Sequence, residues 1–372
     1  MDPRQLFDIP DDVVWLNHGY MAPELRAVRQ AAEWGFQRKA QPWTITTDDF
    51  FAPSDRLRAL AAEVLGAGPD DVALVPSASY GIETAVHNTP LRSGQNVVLL
   101  DEQFPSNVYP WLAAAEKADA TTRFAPRGAG PLTEEVLSRI DKHTAAVSIP
   151  AIHWTDGERL DLREIRRATR DVDALLVLDL TQSLGAMPFS VKAIDPDFAV
   201  AAGYKWLLGP YGLGYVYVAP RHQTGSPIEH NWIAREGAEN FSDLVRYRGG
   251  YAVGARRFDM GERSNFLLVP MAIAAIEQLN RWGIEALYEQ LTATNHVLAE
   301  RAGQHGYSAL PASVRGGHYL GLTKAGLDPL ALAKRLRDQN IFVSVRGSAI
   351  RVTPHLYTRQ GDLDRFVDAL SE

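Results

Sequence analysis

The chain of 372 residues is 46% hydrophobic and 22% charged, a composition that supplies enough apolar surface for a large globular core. Its net charge of −7, without any block of Lys and Arg, argues against a nucleic-acid partner. The longest apolar run, near Phe266–Ile276, is too short to span a membrane, and Met1–Pro10 lacks the apolar segment of a signal peptide, so we expect a cytoplasmic protein. Because there is no cysteine, disulfides, thiolate nucleophiles and cysteine-bound metals are excluded.

Short apolar runs alternate with helical patterns over the first two thirds of the chain. We predict an extended entry at Val13–Leu16 and helices at about Pro23–Lys39, Asp55–Leu65, Tyr80–Asn88, Trp111–Ala118 and Leu162–Thr169. Apolar strands are predicted at Val72–Pro76, Asn96–Asp101, Thr144–Pro150, Leu175–Leu180 and Tyr211–Val218. This alternation indicates an α/β fold with a mostly parallel sheet covered on both faces.

The C-terminal third predicts a smaller α/β unit. Two long helices, Pro270–Trp282 and Ile284–Ala302, lead out of the first domain. A further helix begins after Asp328, and two strands and a closing helix follow at Ile341–Val345, Ala349–Thr353 and Gly361–Leu370. We therefore expect an N-terminal segment (1–24) that joins the small domain, a large domain (25–268), and linking helices with a small C-terminal domain (269–372).

Two charged residues stand beside apolar sequence. Asp179 ends the run Leu175–Leu178, at the strand end where α/β sheets bind ligands, although an Asp there also caps helices. Lys205 lies among apolar, aromatic and glycine residues, which favours a lowered pKa of the kind that a Schiff-base lysine needs; a lysine reaching out to solvent at a domain edge is the alternative.

A third motif indicates a common function for Asp179 and Lys205. Pro76–Gly81 lies between a strand and a helix, where hydroxyls and backbone N–H groups hold a phosphate. Pyridoxal chemistry needs a lysine, an acid for the pyridine nitrogen and a phosphate cradle. The order cradle, Asp179, Lys205 therefore predicts pyridoxal 5'-phosphate as the cofactor.

The ordered set resembles class V aminotransferases, the family that includes isopenicillin N epimerases, kynureninases and cysteine desulfurases. The stretches that carry the resemblance are Asp179–Gly185, Gly203–Gly214 and Ile350–Tyr357. The resemblance covers nearly the whole chain. It implies the fold-type I architecture: a large domain with a mostly parallel seven-stranded sheet, and a smaller C-terminal α/β domain.

The resemblance implies the cofactor contacts. Asp179 pairs with the pyridine nitrogen, Gln182 bonds the phenolic oxygen, and Phe104 stacks on the ring; a water-facing Gln and a core aromatic are the alternatives. Ser79 and the Tyr80 amide match the first phosphate contacts. Tyr204 replaces the histidine that precedes the lysine in desulfurases and supplies a phosphate bond.

Further contacts come from the partner subunit in this family. The resemblance implies a homodimer with shared active sites, in which Arg263 or Ser264 reaches the partner's cofactor phosphate. Both residues are equally explained as the start of a helix, with Ser264 as its cap.

The resemblance also implies the substrate contacts. Arg351 matches the arginine that grips a carboxylate in a bidentate fork, and Arg346 is the competing candidate. Trp154 departs from the family pattern and indicates a more apolar substrate pocket. Asn17 and His18 match positions that shape the substrate mouth, and both are equally explained as turn residues.

The family performs several reactions on amino acids. Desulfuration through an enzyme persulfide needs a cysteine and is excluded. We expect an aminotransferase in which Lys205 is the general base, and we retain an epimerase, a β-elimination lyase and a kynureninase-like hydrolase as alternatives. In an epimerase, Tyr204, His18 or His153 supplies the second proton. A pyridoxal-binding sensor is disfavoured, because no DNA-binding segment or basic patch accompanies the motifs.

Overall fold

The computed structural model describes residues 2–128 and 130–371, so the outer limits of the expected domains, Met1 and Glu372, lie outside the described residues. Its strands, in chain order, are β1 (Val14–Trp15), β2 (Val72–Val75), β3 (Asn96–Leu100), β4 (Thr121–Ala125), β5 (Thr144–Pro150), β6 (Leu175–Asp179), β7 (Phe198–Ala202), β8 (Gly214–Val218), β9 (Leu320–Leu322), β10 (Ile341–Phe342), β11 (Ser344–Arg346) and β12 (Ala349–Val352).

Eleven α-helices lie in the same described part of the chain. They are α1 (Arg26–Ala40), α2 (Ala52–Leu65), α3 (Ala78–His87), α4 (Tyr109–Ala118), α5 (Leu132–Arg139), α6 (Leu162–Asp171), α7 (Val191–Ile194), α8 (Leu268–Trp282), α9 (Ile284–Gly303), α10 (Pro329–Asp338) and α11 (Gln360–Ser371). None of the helices among these described residues combines the length and the apolar character that crossing a membrane requires.

The largest sheet of the described residues has seven strands in the order β2-β8-β7-β6-β5-β3-β4. The neighbours β4, β3, β5, β6 and β7 run parallel, whereas β8 is antiparallel to both β7 and β2. Parallel strands end at the same edge of a sheet, so the carboxyl ends of β3, β5, β6 and β7 converge. This confirms the predicted α/β class and the mostly parallel sheet.

Both faces of the large sheet are buried. Successive side chains of a strand point to opposite faces, and the two faces join different clusters of buried side chains. Val98 and Leu100 of β3 belong to the cluster on one face, and Val97 and Leu99 to the cluster on the other. Burial on both sides explains why these strands are continuous apolar runs in the sequence.

Helix α3 packs unusually close to the sheet because of Gly81. A Cβ atom built on Gly81 would lie 2.5 Å from a methyl of Val200 in β7 and 2.8 Å from a methyl of Val216 in β8. The missing side chain lets the helix backbone approach the strands, and this sets the position of the α3 N-terminus at the carboxyl edge of the sheet.

The C-terminal unit has its own core and two small sheets. Strands β11, β12 and β9 form an antiparallel sheet, and β1 pairs in parallel with β10. Val14 and Leu16 from the N-terminal segment pack with Leu298 of α9 and Leu336 of α10. The N-terminal segment thus packs with the C-terminal residues, while the exact domain boundaries stay a prediction.

Several elements differ from the prediction. The predicted strand Tyr211–Val218 begins only at Gly214, and Ile341–Val345 is divided into β10 and β11. Five elements without a prediction are β4, α5, α7, β7 and β9. Strand β4 lies at the sheet edge, and its sequence Thr-Thr-Arg-Phe-Ala lacks the continuous apolar character of the central strands.

We expect Gly81→Ala to lower stability by about 1–3 kcal/mol, because the new methyl overlaps two valines. The measurement is the denaturation midpoint in urea. Gly303→Ala is the matched control, since a Cβ there meets nothing within 4 Å and both changes gain the helix propensity of alanine. Equal midpoints for the two variants would contradict the close packing of α3.

Candidate active site

Asp179 and Lys205 lie side by side because β6 and β7 are adjacent. Asp179 pairs with Val200 in the parallel register, and Lys205 follows the end of β7 by three residues. A tight turn holds the lysine, with the Gly203 amide donating to the Leu213 carbonyl at 2.9 Å. A Cβ on Gly203 would lie 2.8 Å from that carbonyl oxygen, so the turn requires glycine.

The Lys205 amine is buried without an acidic partner. The residue is 6% exposed, and no carboxylate of the described residues lies within ion-pair distance of it. Its Nζ is 5.3 Å from the ring centroid of Phe104 and 5.5 Å from that of Tyr204. Burial, and then the positive charge of Arg351, lower the pKa of Lys205 to about 8, although Asp179 opposes the shift. Burial therefore raises the fraction of Lys205 that is neutral and reactive, compared with an exposed lysine.

The amine and the carboxylate line the same cavity. The Asp179 carboxylate is fixed by the Thr181 amide, which donates to Oδ1 at 2.9 Å, and Thr181 Oγ1 accepts from the Ala202 amide at 3.1 Å. Thr181 therefore ties the end of β6 to the end of β7. The cavity is lined by Gln103, Phe104, Asn107, Pro150, Ile152, Trp154, Asp179, Thr181, Gln182 and Lys205.

An aromatic pair forms one wall of the cavity. The rings of Phe104 and Trp154 meet edge to face, with centroids 5.4 Å apart, and Trp154 Nε1 donates to the Glu102 carbonyl at 2.6 Å. The wall is supported by Ser148, whose hydroxyl donates to Asn107 Oδ1 at 2.6 Å. The position of Phe104 suits the predicted stacking on a cofactor ring, although its contact with the cofactor stays a prediction.

Three neighbours hold Gln182. Its Nε2 donates to the Gly19 carbonyl at 2.9 Å, and its Oε1 accepts from Trp206 Nε1 at 3.1 Å. His318 Nε2 contacts the main-chain carbonyl of Gln182 at 2.7 Å. One N–H of the amide remains for a ligand. Gln182 lines the cavity, so the predicted bond to the phenolic oxygen is sterically open.

The predicted phosphate cradle lies at the N-terminus of α3. Ser77 caps the helix and accepts from the Tyr80 amide at 3.2 Å, and the Ser79 hydroxyl bonds Ser106 Oγ at 2.9 Å. Ser77 and Ser79 are exposed, so a phosphate can approach them from solvent. Backbone N–H groups and the dipole of a ten-residue helix favour an anion here.

Three tyrosines surround the mouth of the cavity near Lys205. The rings of Tyr204 and Tyr211 lie 4.6 Å apart, and burial, with Tyr211 as the next cause, raises the pKa of Tyr204. Tyr211 is 70% exposed and Tyr20 is 52% exposed. Tyr204 therefore stands between the amine and an exposed aromatic surface, and its predicted phosphate bond stays a prediction.

Arg351 is buried against neutral groups. It donates from Nη1 to the Trp154 carbonyl at 3.2 Å and to the Tyr319 hydroxyl at 3.0 Å, and from Nη2 to Ser344 Oγ at 3.4 Å. It is 1% exposed, and none of the described carboxylates forms an ion pair with it. A buried guanidinium without a carboxylate is suited to bind an anionic ligand.

Asn17 and His18 lie behind the site rather than at its mouth. Asn17 Oδ1 accepts from Ser344 Oγ at 2.6 Å, so it supports a neighbour of Arg351. His18 is fully buried, bonds the Tyr357 hydroxyl at 3.1 Å and stacks on His355. The fold packs the His18 side chain beneath the Lys205 turn, and its predicted role at the substrate mouth stays a prediction.

Arg263 and Ser264 make contacts within their own chain. Arg263 is 2% exposed and pairs with Asp259 at 3.0 Å, and Arg58 pairs with the same carboxylate at 2.8 Å. Ser264 Oγ donates to the Phe50 carbonyl. These contacts hold both side chains inside the subunit, which disfavours the predicted reach to a partner's cofactor.

The parts required by pyridoxal phosphate are present and suitably placed. The lone buried amine of Lys205 faces a cavity that also contains the Asp179 carboxylate, with an aromatic wall and a helix N-terminus at the same sheet edge. These residues fit the carbonyl, pyridine nitrogen, ring and phosphate of the cofactor. The fold and site thus define the class of α/β pyridoxal-phosphate enzymes.

The sequence comparisons give the family. The model of the family described as Aminotransferase class-V matches residues 47–361. The protein belongs to the class V aminotransferase family of pyridoxal-phosphate enzymes. An uncharacterized aminotransferase of Bacillus subtilis is 27% identical over 83% of this chain and 81% of its own. The isopenicillin N epimerase of Streptomyces clavuligerus is 24% identical over 99% of this chain and 96% of its own.

The chain is also similar to a third relative and to two solved structures. The kynureninase of Deinococcus radiodurans is 30% identical over 69% of this chain and 63% of its own. A cystine C–S lyase has a TM-score of 0.88, at 20% identity over 97% of this chain and 98% of its own. A cysteine desulfurase of Thermococcus onnurineus has a TM-score of 0.85, at 18% identity over 100% of this chain and 96% of its own. The two structures support the fold.

Several residues of the site were missed by sequence reasoning. Thr181 lies within the stretch Asp179–Gly185, and nothing in the neighbouring sequence indicates its role. Ser148 is a polar residue within the apolar strand β5, and such a residue signals a buried polar partner, here Asn107. Tyr319 and Ser344 surround Arg351 from other strands, so only the fold identifies them.

We expect borohydride to fix the cofactor on Lys205 in the purified protein, because burial and a pKa lowered to about 8 raise the neutral, imine-forming fraction of this amine. Peptide mass analysis locates the label, Lys205→Ala abolishes it, and a change at the exposed Lys192 is the matched control. In the apoprotein, the reaction of Lys205 with an amine reagent should rise with pH and level off above about 8. The same reagent applied to exposed Lys192 gives the comparison for a solvent-accessible amine. A label on another lysine would contradict the assignment.

Proposed function

We propose that the protein is an aminotransferase that acts on an α-amino acid. The main observation behind this proposal is that the Lys205 amine is buried without an ion-pair partner, in the same cavity as the Asp179 carboxylate. Pyridoxal phosphate, when bound, supplies the electron-withdrawing ring that acidifies the Cα–H bond. Asp179 keeps the pyridine nitrogen protonated. Lys205, with its lowered pKa, would act as the general base that removes the Cα proton and returns it during transfer.

Arg351 orients the substrate in this proposal. Its guanidinium binds the α-carboxylate, and the position of that carboxylate determines which Cα bond stands perpendicular to the cofactor ring. The bonds from Arg351 to the Trp154 carbonyl and the Tyr319 hydroxyl fix the plane of the guanidinium before the substrate arrives. Such preorganisation supports rate as well as affinity.

Transfer is favoured over epimerisation by the positions of two histidines. Epimerisation needs a second proton donor on the opposite face of Cα. His18 is fully buried behind the Lys205 turn, and His153 is also buried, with its pKa lowered to about 3 by burial and then by Arg127. Neither histidine lines the cavity, and Tyr204, the third candidate, does not line it either.

Elimination and kynureninase-like cleavage use the same lysine base and form the second candidate. The edge-to-face pair of Phe104 and Trp154 supplies an aromatic wall that suits an aromatic side chain, and kynureninases are among the relatives. The choice between these reactions depends on the bond that breaks after the proton leaves Cα.

The test is a product analysis of the holoenzyme with a panel of α-amino acids. Transamination predicts a 2-oxo acid without free ammonia, with turnover that depends on a second 2-oxo acid as acceptor. Elimination predicts ammonia without an acceptor, and epimerisation predicts inversion with uptake of solvent deuterium at Cα. The corresponding decarboxylated amines should be poor substrates if Arg351 binds the α-carboxylate. Ammonia release or inversion as the main result would reject the aminotransferase.

We also propose a homodimer in which each subunit completes the active site of the other. The exposed tyrosines at the mouth, Tyr20 and Tyr211, accompany the exposed Trp43 and Tyr247, and exposed aromatic surface is typical of an interface. Lys205 is the one cation that lines the cavity among the described residues. A contact from the partner subunit therefore supplies the further neutralisation of the phosphate.

We expect a dimeric mass in solution, and loss of cofactor together with activity when dilution separates the subunits. Light scattering and cofactor absorbance over a dilution series measure both quantities on one sample. Added pyridoxal phosphate should shift the dissociation to lower protein concentration, since ligand binding at a shared site stabilises the assembly. A monomer with full activity would contradict the shared site.

A further inference from the structure

The hairpin of β11 and β12 presents two arginines on one face. In its antiparallel register, Ser344 stands opposite Arg351 and Arg346 stands opposite Ala349. Residues two apart on a strand share a face, so Arg346 and Arg351 are diagonal neighbours. Such pairs are separated by about 7–8 Å, a distance over which both side chains reach one small molecule.

Neither arginine has a carboxylate partner. Among the described residues, Arg58 pairs with Asp259 and Arg4 with Asp362, whereas the buried Arg315 also bonds only carbonyl oxygens. Arg351 instead bonds only neutral oxygens, and Arg346 Nη1 donates to the Val345 carbonyl at 2.7 Å. Two neighbouring guanidinium groups without an acid leave an excess of positive charge, which an anionic ligand would neutralise.

The charges of the two arginines act on each other and on the reactive amine. Burial, and then the positive charge of Arg351, lower the pKa of Arg346 to about 10. Both arginines also contribute to the lowered pKa of Lys205, which is opposed by Asp179. One substrate carboxylate on Arg351 would leave the charge of Arg346 uncompensated.

Trp154 contacts both arginines, neither of which lines the cavity itself. Arg351 donates to its carbonyl, and the guanidinium carbon of Arg346 lies 5.0 Å from the centroid of its indole ring. The same residue lines the cavity that contains Lys205. Arg346 is half-buried, so its remaining donors are accessible from the mouth.

We propose that the substrate is an amino acid with a second anionic group, held by Arg346 while Arg351 holds the α-carboxylate. This inference rests on the proposed function, because it requires an amino-acid substrate at Lys205. The second group is a side-chain carboxylate or an anion of similar size. The ring of Trp154 supports the Arg346 guanidinium through a cation–π contact and limits its orientations.

The test measures binding of unreactive acids to the holoenzyme by calorimetry. The pairs are butyrate with succinate, valerate with glutarate, and hexanoate with adipate, which separate a second carboxylate from chain length. We expect the best dicarboxylate to bind at least roughly 10-fold more tightly than its monocarboxylate, because the second guanidinium gains a charged hydrogen bond. Cofactor absorbance confirms that each variant remains loaded.

The variants distinguish the roles of the two arginines. Arg346→Ala and Arg346→Gln should remove most of the dicarboxylate preference and retain monocarboxylate affinity, whereas Arg351→Ala should weaken both. Arg167→Ala is the matched control, since Arg167 is exposed on α6, away from the cavity, and both affinities should stay unchanged. In turnover, Arg346→Ala should lower the specificity constant for glutamate or aspartate relative to glutamine or asparagine.

Three results would overturn the inference. If monocarboxylates and dicarboxylates bind the wild type with equal affinity, Arg346 binds an anion other than the substrate, such as a carboxylate of the partner subunit. An equal loss of both classes in Arg346→Ala means that Arg346 belongs to the α-carboxylate site, and the proposed function then stands without the second anion. Absence of binding for every acid would reject the amino-acid substrate itself.

Discussion

The parallel pairing of β6 with β7 is the constraint on which the site depends. It places the carboxylate of Asp179 and the turn of Lys205 at one edge of the sheet. Neither side chain forms an ion pair with any of the described residues. Burying an ammonium is unfavourable, so the fold stabilises the neutral, reactive amine. Thr181 connects the ends of the two strands, and Gly203 allows the tight turn that follows. Local backbone geometry thereby keeps the acid and the amine at a fixed separation.

A layer of neutral aromatic and imidazole groups supports this edge from below. Burial is the largest cause that lowers the pKa of His318, to about 4, and it also lowers the pKa of His18. Both rings therefore stay uncharged at neutral pH and add no positive charge near Lys205. His318 and Trp206 instead hold the main chain and the amide of Gln182, which leaves one amide N–H for a ligand. These groups therefore support the site through packing and hydrogen bonds rather than through charge.

In the proposed function, chemistry and substrate recognition come from different parts of the fold. The large sheet supplies Lys205 and Asp179, whereas the C-terminal hairpin supplies Arg346 and Arg351. Trp154 connects the two parts, since its ring lines the cavity and its carbonyl accepts from Arg351. A change in the hairpin therefore alters the preferred substrate without moving the reactive amine. This separation is consistent with a family whose members share a cofactor and act on different amino acids.

The sequence by itself determined the α/β class and the cofactor, and it identified Asp179 and Lys205. Those features arise within short contiguous stretches, where an apolar strand ends at a charge or a glycine turn surrounds a lysine. Only the tertiary structure decided that His18 lies beneath the site and that Arg263 pairs with Asp259. Asp259 is 201 residues from Arg58, its other partner, and no local pattern specifies a contact of that separation. The strand register likewise decided that Arg346 and Arg351 share a face, because pairing between strands, rather than the composition of either one, determines which side chains meet.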